Sequence, residues 1–388
     1  MLNVALFASA FYPGLGGVEE AVRQLARQYR LKGIGVIVLT NRWPRSLPFF
    51  ETYEETPVYR LPFRVPIGGL KARISYQVTH RSIRGTMLRI LRKHNVSVLH
   101  VQCVSTNALY AMEAKLALEL PLVVTTQGER TMDADQIYQR SSFMNDVLRK
   151  ALRSADAITA CSNATLDDME RYWGKPFRDR ASVVYNGVEV SDFEHAAPYR
   201  HRRPFILGLG RLVAQKGFDL LIRAFSSADL PEHDLLLAGE GPERGALESL
   251  VAELNLTGRV QFVGRADRQL AVALFKGCEF FVLPSRSEPF GIVSLEAMAV
   301  AKAVIGFDVG GVPEVVSNRE TGIILPREDV DSLSKAMTRL GRDLDLRNLY
   351  GLAGVKHVAK FNWVRIADEY INVYNFVRSR QVSVNATV

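Results

Sequence analysis

The sequence LPSRSEPFGIVSLEAM occupies residues 283–298 and contains two glutamates, Glu288 and Glu296, with seven residues between them. We expect Glu288 in a loop before a helix and Glu296 about two turns inside that helix. The amides of Gly291, Ile292 and Val293 lie between them at the start of the helix. A carboxylate can accept two hydrogen bonds, which suits the hydroxyls of a sugar or a ribose, and amides suit phosphate or sugar oxygens. The stretch therefore indicates a sugar- or nucleotide-binding site.

Upstream of this stretch, two basic residues flank another loop between a strand and a helix. Gly210-Arg211 ends a strand pattern, and Lys216 precedes the helical pattern of residues 218–225. A diphosphate is bound by cations and amides together, and a helix N-terminus with Arg211 and Lys216 supplies both. Taken alone, the stretch is equally compatible with two basic side chains on a surface loop.

A first glycine-rich turn, PGLGGVE at residues 13–19, follows the first strand pattern. Its amides and the dipole of the helix that follows favour an anion. The turn is not a dinucleotide fingerprint, because the third glycine position is Glu19 and the second strand ends in Thr40-Asn41 rather than in an acid. An NAD-dependent enzyme is therefore disfavoured.

Buried-strand patterns alternate with helical patterns along the whole chain, which predicts an α/β fold of parallel sheets. A first series begins at residues 4–8 and a second, similar series begins at residues 205–209. We therefore expect two doubly wound domains, residues 1–190 and 191–362. A final helix over residues 363–380 is expected to pack back on the first domain, with a loose tail beyond Ser379.

The composition of the 388 residues, 47% hydrophobic and 23% charged, is typical of a soluble globular enzyme. No apolar run is long enough to span a membrane, and the first ten residues lack the features of a signal peptide. Three scattered cysteines indicate reduced thiols and a cytoplasmic location.

Of the net charge of +8, residues 1–200 carry +7, which predicts an anionic partner for that half. No basic and aromatic cluster indicates a nucleic-acid partner.

The order and spacing of these motifs resemble glycosyltransferase family 4 over nearly the whole chain. The motifs that carry the resemblance are Gly16-Gly17-Val18-Glu19, Gly210-Arg211 with Lys216-Gly217, Gly239-Glu240-Gly241-Pro242, the Glu288 and Glu296 pair, Gly310-Gly311-Val312-Pro313-Glu314, and Gly322. The resemblance implies the GT-B fold, in which two Rossmann-like domains face a cleft. It also implies a retaining transferase that moves a hexosyl group from a nucleotide-diphosphate sugar, with UDP first and GDP second as the nucleotide, to a hydroxyl of a lipid-linked or cell-envelope glycan.

The resemblance implies a role for each matching residue. Arg211 and Lys216 would hold the donor diphosphate, Glu296 the ribose, and Glu288 the transferred sugar. The main chain near Gly264-Arg265 would hold the base. The implied catalytic residues are Glu288, Arg211, Lys216 and Gln127, and the implied donor-binding residues are Gly16, Gly17, Gly210, Arg211, Lys216, Gly239, Gly264, Arg265, Glu288, Phe290, Gly291, Ile292, Val293 and Glu296. The resemblance also implies that the leaving diphosphate accepts the proton of the acceptor, so that no side-chain nucleophile is required. No metal and no cofactor are expected, because two fixed cations and helix N-termini take the place of a divalent metal.

Two positions depart from the family pattern. The family usually has a histidine where this sequence has Gln127, and a His-x-His where it has His100-Val101-Gln102. Glutamine can donate and accept hydrogen bonds but carries no charge. The two departures bear on sugar specificity and on activity, and not on the fold. We interpret His100 as a packed residue rather than a ligand.

Asp133-Ala134-Asp135 matches the spacing of the D-x-D metal motif of the other large glycosyltransferase architecture. The same spacing recurs at residues 329–331 and 343–345, so chance explains it. We interpret Asp133 as the start of a helix.

Two features of the first half indicate a membrane-associated acceptor. Residues 41–69 form the one long irregular stretch and place Trp43, Phe49 and Phe50 where we expect exposure. Residues 71–93 predict a basic helix with Ile83, Met87, Ile90 and Leu91 on its apolar face, and such a helix could lie on an acidic membrane surface, such as the inner face of the plasma membrane. The alternative is a solvated basic face over an ordinary core. The six basic residues of this stretch that carry the prediction are Arg73, Arg81, Arg84, Arg89, Arg92 and Lys93.

Two other functions stay open on the sequence alone. A GT-B epimerase or hydrolase would act on the nucleotide sugar without an acceptor. A non-catalytic subunit would bind the donor and transfer nothing, and Gln127 is the residue that favours it.

Overall fold

The computed structural model describes residues 1–14, 16–65 and 70–385, without the side chains of residues 72, 73 and 382–385. The chain divides into two compact units. The first comprises Met1–Tyr185 together with the C-terminal helix that begins at Trp363, and the second comprises Asn186–Asn362.

The first unit is built on an eight-stranded sheet with the strand order β3-β4-β2-β1-β5-β6-β7-β8. All neighbouring pairs are parallel except β3 and β4. Its strands are β1 (Asn3–Ala8), β2 (Gly35–Asn41), β3 (Phe50–Tyr53), β4 (Thr56–Leu61), β5 (Val98–Gln102), β6 (Leu122–Thr126), β7 (Ala157–Ala160) and β8 (Ala181–Val183). Its helices are α1 (Gly17–Leu31), α2 (Leu70–Lys93), α3 (Thr106–Leu118), α4 (Ile137–Arg140), α5 (Ser142–Ser154) and α6 (Asn163–Trp173).

The second unit is built on a six-stranded parallel sheet with the order β11-β10-β9-β12-β13-β14. Its strands are β9 (Phe205–Leu209), β10 (Asp234–Ala238), β11 (Val260–Gly264), β12 (Phe281–Leu283), β13 (Val304–Phe307) and β14 (Gly322–Leu325). Its helices are α7 (Phe218–Ser227), α8 (Arg244–Glu253), α9 (Arg268–Gly277), α10 (Ile292–Ala299), α11 (Val312–Val315), α12 (Val330–Arg342) and α13 (Leu344–Val358). Both units are Rossmann-like, as the alternating patterns predict.

The central strands are buried on both faces, which is why they read as continuous apolar runs. Every residue of β6 is buried, and so is every residue of β10. Parallel strands need crossover helices, and these cover the two faces of each sheet. The carboxyl ends of the strands therefore collect the loops that carry the sequence motifs.

The C-terminal helix α14 (Trp363–Asn385) packs on the core of the first unit. Its side chains Trp363, Tyr370 and Tyr374 are fully or almost fully buried there. The helix runs to Asn385, so the expectation of a loose tail beyond Ser379 is wrong for residues up to 385. The backbone amides of this segment continue the helix because no proline or glycine interrupts it.

The prediction that residues 41–69 are irregular is wrong in part. Strands β3 and β4 pair antiparallel at the edge of the first sheet, with Glu51 opposite Val58. Five prolines hid these short strands, because proline is tolerated at sheet edges but lowers any strand pattern. Trp43, Phe49 and Phe50 are exposed, as expected. Residues 66–69 lie outside the described residues.

Among the described residues, no helix is both long enough and apolar enough to cross a membrane.

Candidate functional site

The loop after β9 carries the two predicted phosphate-binding cations of the second unit. Arg211 is exposed, and Lys216 ends a 3₁₀ turn directly before α7. Gly217 separates that turn from the helix with φ +64°, and a Cβ atom there would lie 2.1 Å from the carbonyl oxygen of Pro284. Only glycine allows this close approach, which brings the loop after β9 against the loop after β12.

Lys216 and Glu288 meet at this contact between the two loops. Nζ of Lys216 lies 2.6 Å from Oε2 of Glu288, and the Ser285 hydroxyl donates to the same oxygen at 3.1 Å. The Glu288 side chain is almost buried, with 6% of the residue exposed. The carboxylate thus holds the ammonium in place, while an ammonium has three N–H donors and can bind an anion with the others.

The Gly310-Gly311 motif fixes the backbone of Glu288. The amide of Gly311 donates to the Glu288 carbonyl at 3.0 Å. Gly310 has φ +52°, and a Cβ atom there would lie 1.9 Å from that carbonyl oxygen. A side chain at Gly310 would therefore displace Glu288, which explains why glycine occurs at this position.

Arg286 ties the same two loops together from the outside. Its guanidinium donates to both carboxylate oxygens of Asp219, at 2.8 and 2.7 Å, and to the carbonyl of Ala214 at 2.8 Å. Its backbone amide donates to Gln215 at 2.8 Å. Burial alone would raise the pKa of the Asp219 carboxyl, but the hydrogen bond and the positive charge of Arg286, together with backbone hydrogen bonds, outweigh burial and lower that pKa. These bonds hold the backbone on both sides of Lys216.

Glu296 lies on α10 and forms an ion pair with Arg268 at the start of α9. Helix α10 begins at Ile292, so Glu296 is about one turn inside it rather than the two turns expected from the sequence. Arg268 also approaches Asp192 at 3.5 Å. Sequence reasoning missed Arg268, because no local pattern distinguishes it from other helical arginines.

The remaining donor-binding candidates lie at the carboxyl edge of the second sheet. The amide of Gly239 donates to Gly264 at 2.8 Å, and that of Gly210 donates to Ala238 at 3.0 Å. Arg265 follows β11 and is exposed. Gly291 precedes α10, whose first amides, those of Ile292 and Val293, have no acceptor within the helix. In contrast, the ring of Phe290 is buried against Phe361.

In the first unit, Gly16 and Gly17 form the start of α1 after β1. Gly16 is extended, and a Cβ atom there would lie 2.5 Å from a carboxylate oxygen of Glu19. Leu15, between the two glycine motifs of this turn, lies outside the described residues. The amides at the start of α1 are thus placed at the carboxyl edge of the first sheet.

Gln127 follows β6 at the same edge and is half-buried. Its side-chain nitrogen donates to Oε1 of Gln102 at 3.1 Å, and its backbone amide donates to Glu129 at 2.6 Å. Glu129 is buried and also accepts the amide of Val104 at 2.6 Å. Burial raises the pKa of the Glu129 carboxyl. Sequence reasoning missed Glu129, although a carboxylate three residues after a strand end is a recognisable signal.

His100 is packed inside the first unit, as the sequence interpretation expects. Its two ring nitrogens lie 2.5 Å from the Tyr374 hydroxyl and 2.6 Å from the Thr125 hydroxyl. Burial lowers the pKa of His100 to about 3. The imidazole is therefore neutral at physiological pH and is a member of a buried hydrogen-bond network.

Asp133 accepts the backbone amides of Asp135 and Ile137, at 3.2 and 2.7 Å, in the turn before α4. Asp133 thus binds the first amide of α4, whereas the helix itself begins at Ile137 with Gln136 at the N-cap position. In the described part of the chain, no three His, Cys, Asp or Glu side chains are grouped as a metal site requires.

The apolar row predicted on α2 is placed differently from the expectation. Ile83, Met87, Ile90 and Leu91 are buried in the core of the first unit, so they cannot face a membrane. Another apolar row is exposed at the start of the helix and consists of Leu70, Ile74 and Val78. The sequence analysis missed this exposed row because it lies at the start of α2, before the longer apolar row that faces the core. The side chain of Arg73 lies outside the described part of α2, and Arg84 approaches Glu113 at 3.6 Å.

Comparisons with known proteins agree with this architecture. The family model described as Glycosyltransferase Family 4 matches residues 15–192, and the model described as Glycosyl transferases group 1 matches residues 191–356. The crystal structure of Anabaena Alr3699/HepE in complex with UDP-glucose is similar with a TM-score of 0.75 and 18% identity, over 97% of this chain and 99% of that one.

Two curated relatives are similar in sequence. The alpha-maltose-1-phosphate synthase of Mycolicibacterium smegmatis is 31% identical over 68% of this chain and 75% of its own length. The phosphatidyl-myo-inositol mannosyltransferase of the same organism is 26% identical over 96% of this chain and 93% of its own length. With two matching family models, a relative above 30% identity and the glycine and glutamate motifs at the strand ends, the chain belongs to glycosyltransferase family 4 and is a glycosyltransferase of the GT-B type.

Proposed function

We propose that this glycosyltransferase moves a hexosyl group from a UDP-sugar to a hydroxyl of a lipid-linked acceptor, with retention of the anomeric configuration and without a metal ion. The contact between Lys216 and Glu288 carries the proposal. It places a cation and a carboxylate together at the start of a helix, where a diphosphate and the sugar attached to it find complementary groups. The UDP-glucose named for the HepE structure supports UDP as the first nucleotide to test, with GDP second.

In the proposed reaction, the bond between the anomeric carbon and the diphosphate oxygen breaks. The acceptor oxygen bonds to that carbon from the same face, and its proton passes to the leaving diphosphate. Arg211, Lys216 and the amides of Ile292 and Val293 stabilise the developing negative charge. Glu288 and Glu296 bind hydroxyls of the sugar and the ribose. Within the first unit, the amides at Gly16-Gly17 and the side chain of Gln127 are the groups proposed to bind substrate.

Two fixed cations and helix N-termini perform the task that a divalent metal performs in D-x-D enzymes. Transfer is therefore expected to continue in EDTA. Loss of transfer in EDTA with recovery in manganese or magnesium would contradict this part of the proposal.

The proposed acceptor is lipid-linked because of the exposed features of the first unit. Leu70, Ile74 and Val78 follow each other at four-residue spacing on α2, with Lys71 and Arg81 exposed beside them. An apolar row between basic side chains suits the surface of an acidic membrane. A relative whose name contains phosphatidyl-myo-inositol agrees with this acceptor class. We accordingly place the enzyme in the cytoplasm, on the inner face of the membrane.

The test uses purified protein with UDP-glucose, UDP-galactose, UDP-N-acetylglucosamine and GDP-mannose. Thermal stabilisation identifies the donor, because a ligand that binds the folded state raises its apparent stability. Release of nucleotide is then measured with and without acidic phospholipid vesicles, and NMR of the product gives the anomeric configuration. Release that is independent of any acceptor would favour the hydrolase or epimerase. Binding without release would favour a non-catalytic subunit, and an inverted product would contradict retention.

A further inference from the structure

The two positions at which the sequence departs from its family are in direct contact. Gln102 ends β5 and Gln127 follows β6, the neighbouring parallel strand. The side-chain nitrogen of Gln127 donates to Oε1 of Gln102 at 3.1 Å. Gln102 is fully buried, whereas Gln127 is half-buried at the sheet edge. The two glutamines therefore form a hydrogen-bonded pair, in which Gln102 is the inner member and Gln127 is the outer member.

The inner member is held from below by His100. Nε2 of Gln102 lies 3.2 Å from Nε2 of His100, and Nδ1 of His100 lies 2.5 Å from the Tyr374 hydroxyl. That hydroxyl is in turn 2.7 Å from the hydroxyl of Tyr29. Burial keeps His100 neutral, since its pKa is lowered to about 3, so the ring has one donor and one acceptor nitrogen.

These contacts fix the direction of the side-chain amides. The side-chain nitrogen of Gln102 faces His100 and can only donate, so Nε2 of His100 accepts from it and from the Thr125 hydroxyl at 2.6 Å, while Nδ1 carries the hydrogen and donates to Tyr374. Gln102 consequently directs its Oε1 toward Gln127 and accepts the Gln127 nitrogen. The side-chain amide of Gln127 is planar. Because its nitrogen donates to Gln102, its Oε1 atom lies on the side away from Gln102.

We propose that Gln102 is a positioning residue, which orients the Gln127 amide so that the Gln127 carbonyl oxygen accepts a hydrogen bond from a substrate hydroxyl. This inference rests on the proposed transferase function and names the group that the first unit presents to the substrate. A histidine at position 127 could present either a donor or an acceptor and could carry a charge, whereas the oriented amide presents an acceptor at every physiological pH. The pair thus restricts the substrate to one with a hydroxyl donor at this point.

The test is a double-mutant cycle of Gln102→Met and Gln127→Met, which keep side-chain length and remove the amides. The rate of nucleotide release is measured for each of the four donor sugars in the presence of acidic vesicles. These rates give kcat and KM for the donor. We expect each single variant to lower kcat by roughly tenfold, the scale of one lost hydrogen bond, and the double variant to be no slower than the slower single variant. Affinity for free UDP should stay within about twofold, because neither glutamine is among the proposed diphosphate and ribose ligands.

Ser97→Ala is the matched control. Its hydroxyl accepts the amide of Asn3 at 3.0 Å and donates to the Asn3 carbonyl at 3.1 Å, before the amino end of β5 and away from both glutamines. We expect this variant to lose thermal stability and keep kcat within about twofold. If Gln102→Met does not fold, Gln102→Asn retains a buried amide and shortens its reach to Gln127.

The outcomes separate the inference from the function on which it rests. A wild type that releases no nucleotide from any donor overturns the proposed function and this inference with it. An active wild type whose two single losses multiply in the double variant, or whose Gln102 variants keep full kcat, overturns the positioning role alone.

Discussion

The ammonium of Lys216 binds a carboxylate, Glu288, that would otherwise be a nearly buried charge without its cation. Removal of either partner leaves the other charge poorly solvated, which is costly in a protein interior. We therefore expect Lys216→Ala to slow transfer by at least ~10²-fold, the scale expected for loss of one group that stabilises developing charge. Arg211→Ala should have an effect of the same size. The measurement is kcat with the best donor, together with the Kd for UDP.

Lys335→Ala is the control for Lys216. Its ammonium also pairs with a carboxylate, Asp331, at 2.6 Å, but both side chains are about three-quarters exposed on α12. Such surface pairs contribute little to stability, because water and salt screen the two charges. Activity of this variant should be unchanged, and near-normal turnover of both Lys216→Ala and Arg211→Ala would contradict the phosphate-binding role.

His100 predicts a specific dependence of stability on pH. Its pKa is lowered by burial to about 3, below the ordinary value of 6.5, so the unfolded chain binds the proton first as the pH falls. The stabilisation that His100 provides is complete above pH 6.5 and is lost toward pH 3. Between pH 6.5 and 4.5 the loss of stability from this residue should be about 2 kcal/mol.

His100→Gln is the variant that isolates this contribution. Chemical denaturation at pH 7.5, 6.5, 5.5 and 4.5 should give a steeper fall for the wild type than for the variant. The raised pKa of Glu129 acts with the opposite sign but is common to both proteins, so it cancels in the difference. Parallel curves would contradict the neutral, buried state of His100.

At the scale of single elements, helix α2 has two apolar rows with different roles. The row of Ile83, Met87 and Ile90 is buried and anchors the helix to the core. In the exposed row, Ile74 is 50% and Val78 is 74% exposed, so charged substitutions there should leave stability within about 0.5 kcal/mol. We expect the double variant Ile74→Glu and Val78→Glu to lose sedimentation with acidic vesicles at low salt.

The control for this helix is Leu349→Glu on α13, where the leucine is 63% exposed. It places the same charge on an exposed apolar side chain in the other unit. This variant should still sediment with acidic vesicles at low salt. The wild type should lose vesicle binding at high salt, because salt screens the charges. If the double variant of α2 still sediments with the vesicles, the helix is not the membrane contact.

At the scale of the whole molecule, the chain leaves the second unit after Asn362 and returns to the first unit at Trp363, where α14 begins. Residues 186–362 contain Arg211, Lys216 and Glu296, the side chains proposed to bind the diphosphate and the ribose, and have their own parallel sheet. We therefore expect this fragment to fold alone and bind UDP within about tenfold of the full chain, since each domain has its own core. Calorimetry with UDP and circular dichroism measure both properties.

The fragment of residues 1–185 should behave differently. Without α14 it loses Trp363, Tyr370 and Tyr374, which are buried in its core, and exposes the apolar face that they cover. We expect this fragment to aggregate and to be restored when α14 is supplied through a linker. A soluble, cooperatively folded fragment of residues 1–185 would show that α14 is dispensable.

Much of this architecture could be predicted from the sequence, because the signals are local. Apolar runs bounded by glycines specify buried parallel strands, and loops at their carboxyl ends specify where ligands bind. The glycines of the Gly210, Gly217 and Gly310 turns and the two glutamates of residues 283–298 were recognised in this way. Strands β3 and β4 were not predicted, because five prolines in residues 41–69 weaken the strand pattern there.

Only the tertiary structure decided which side chains meet. Lys216 and Glu288 are 72 residues apart and form an ion pair because β9 and β12 are neighbours in the sheet order. Gln102 and Gln127 pair because β5 and β6 are adjacent and in parallel register. A sequence specifies the period of each element and its turns, whereas contacts across a sheet depend on strand order and register, which arise only when the core forms.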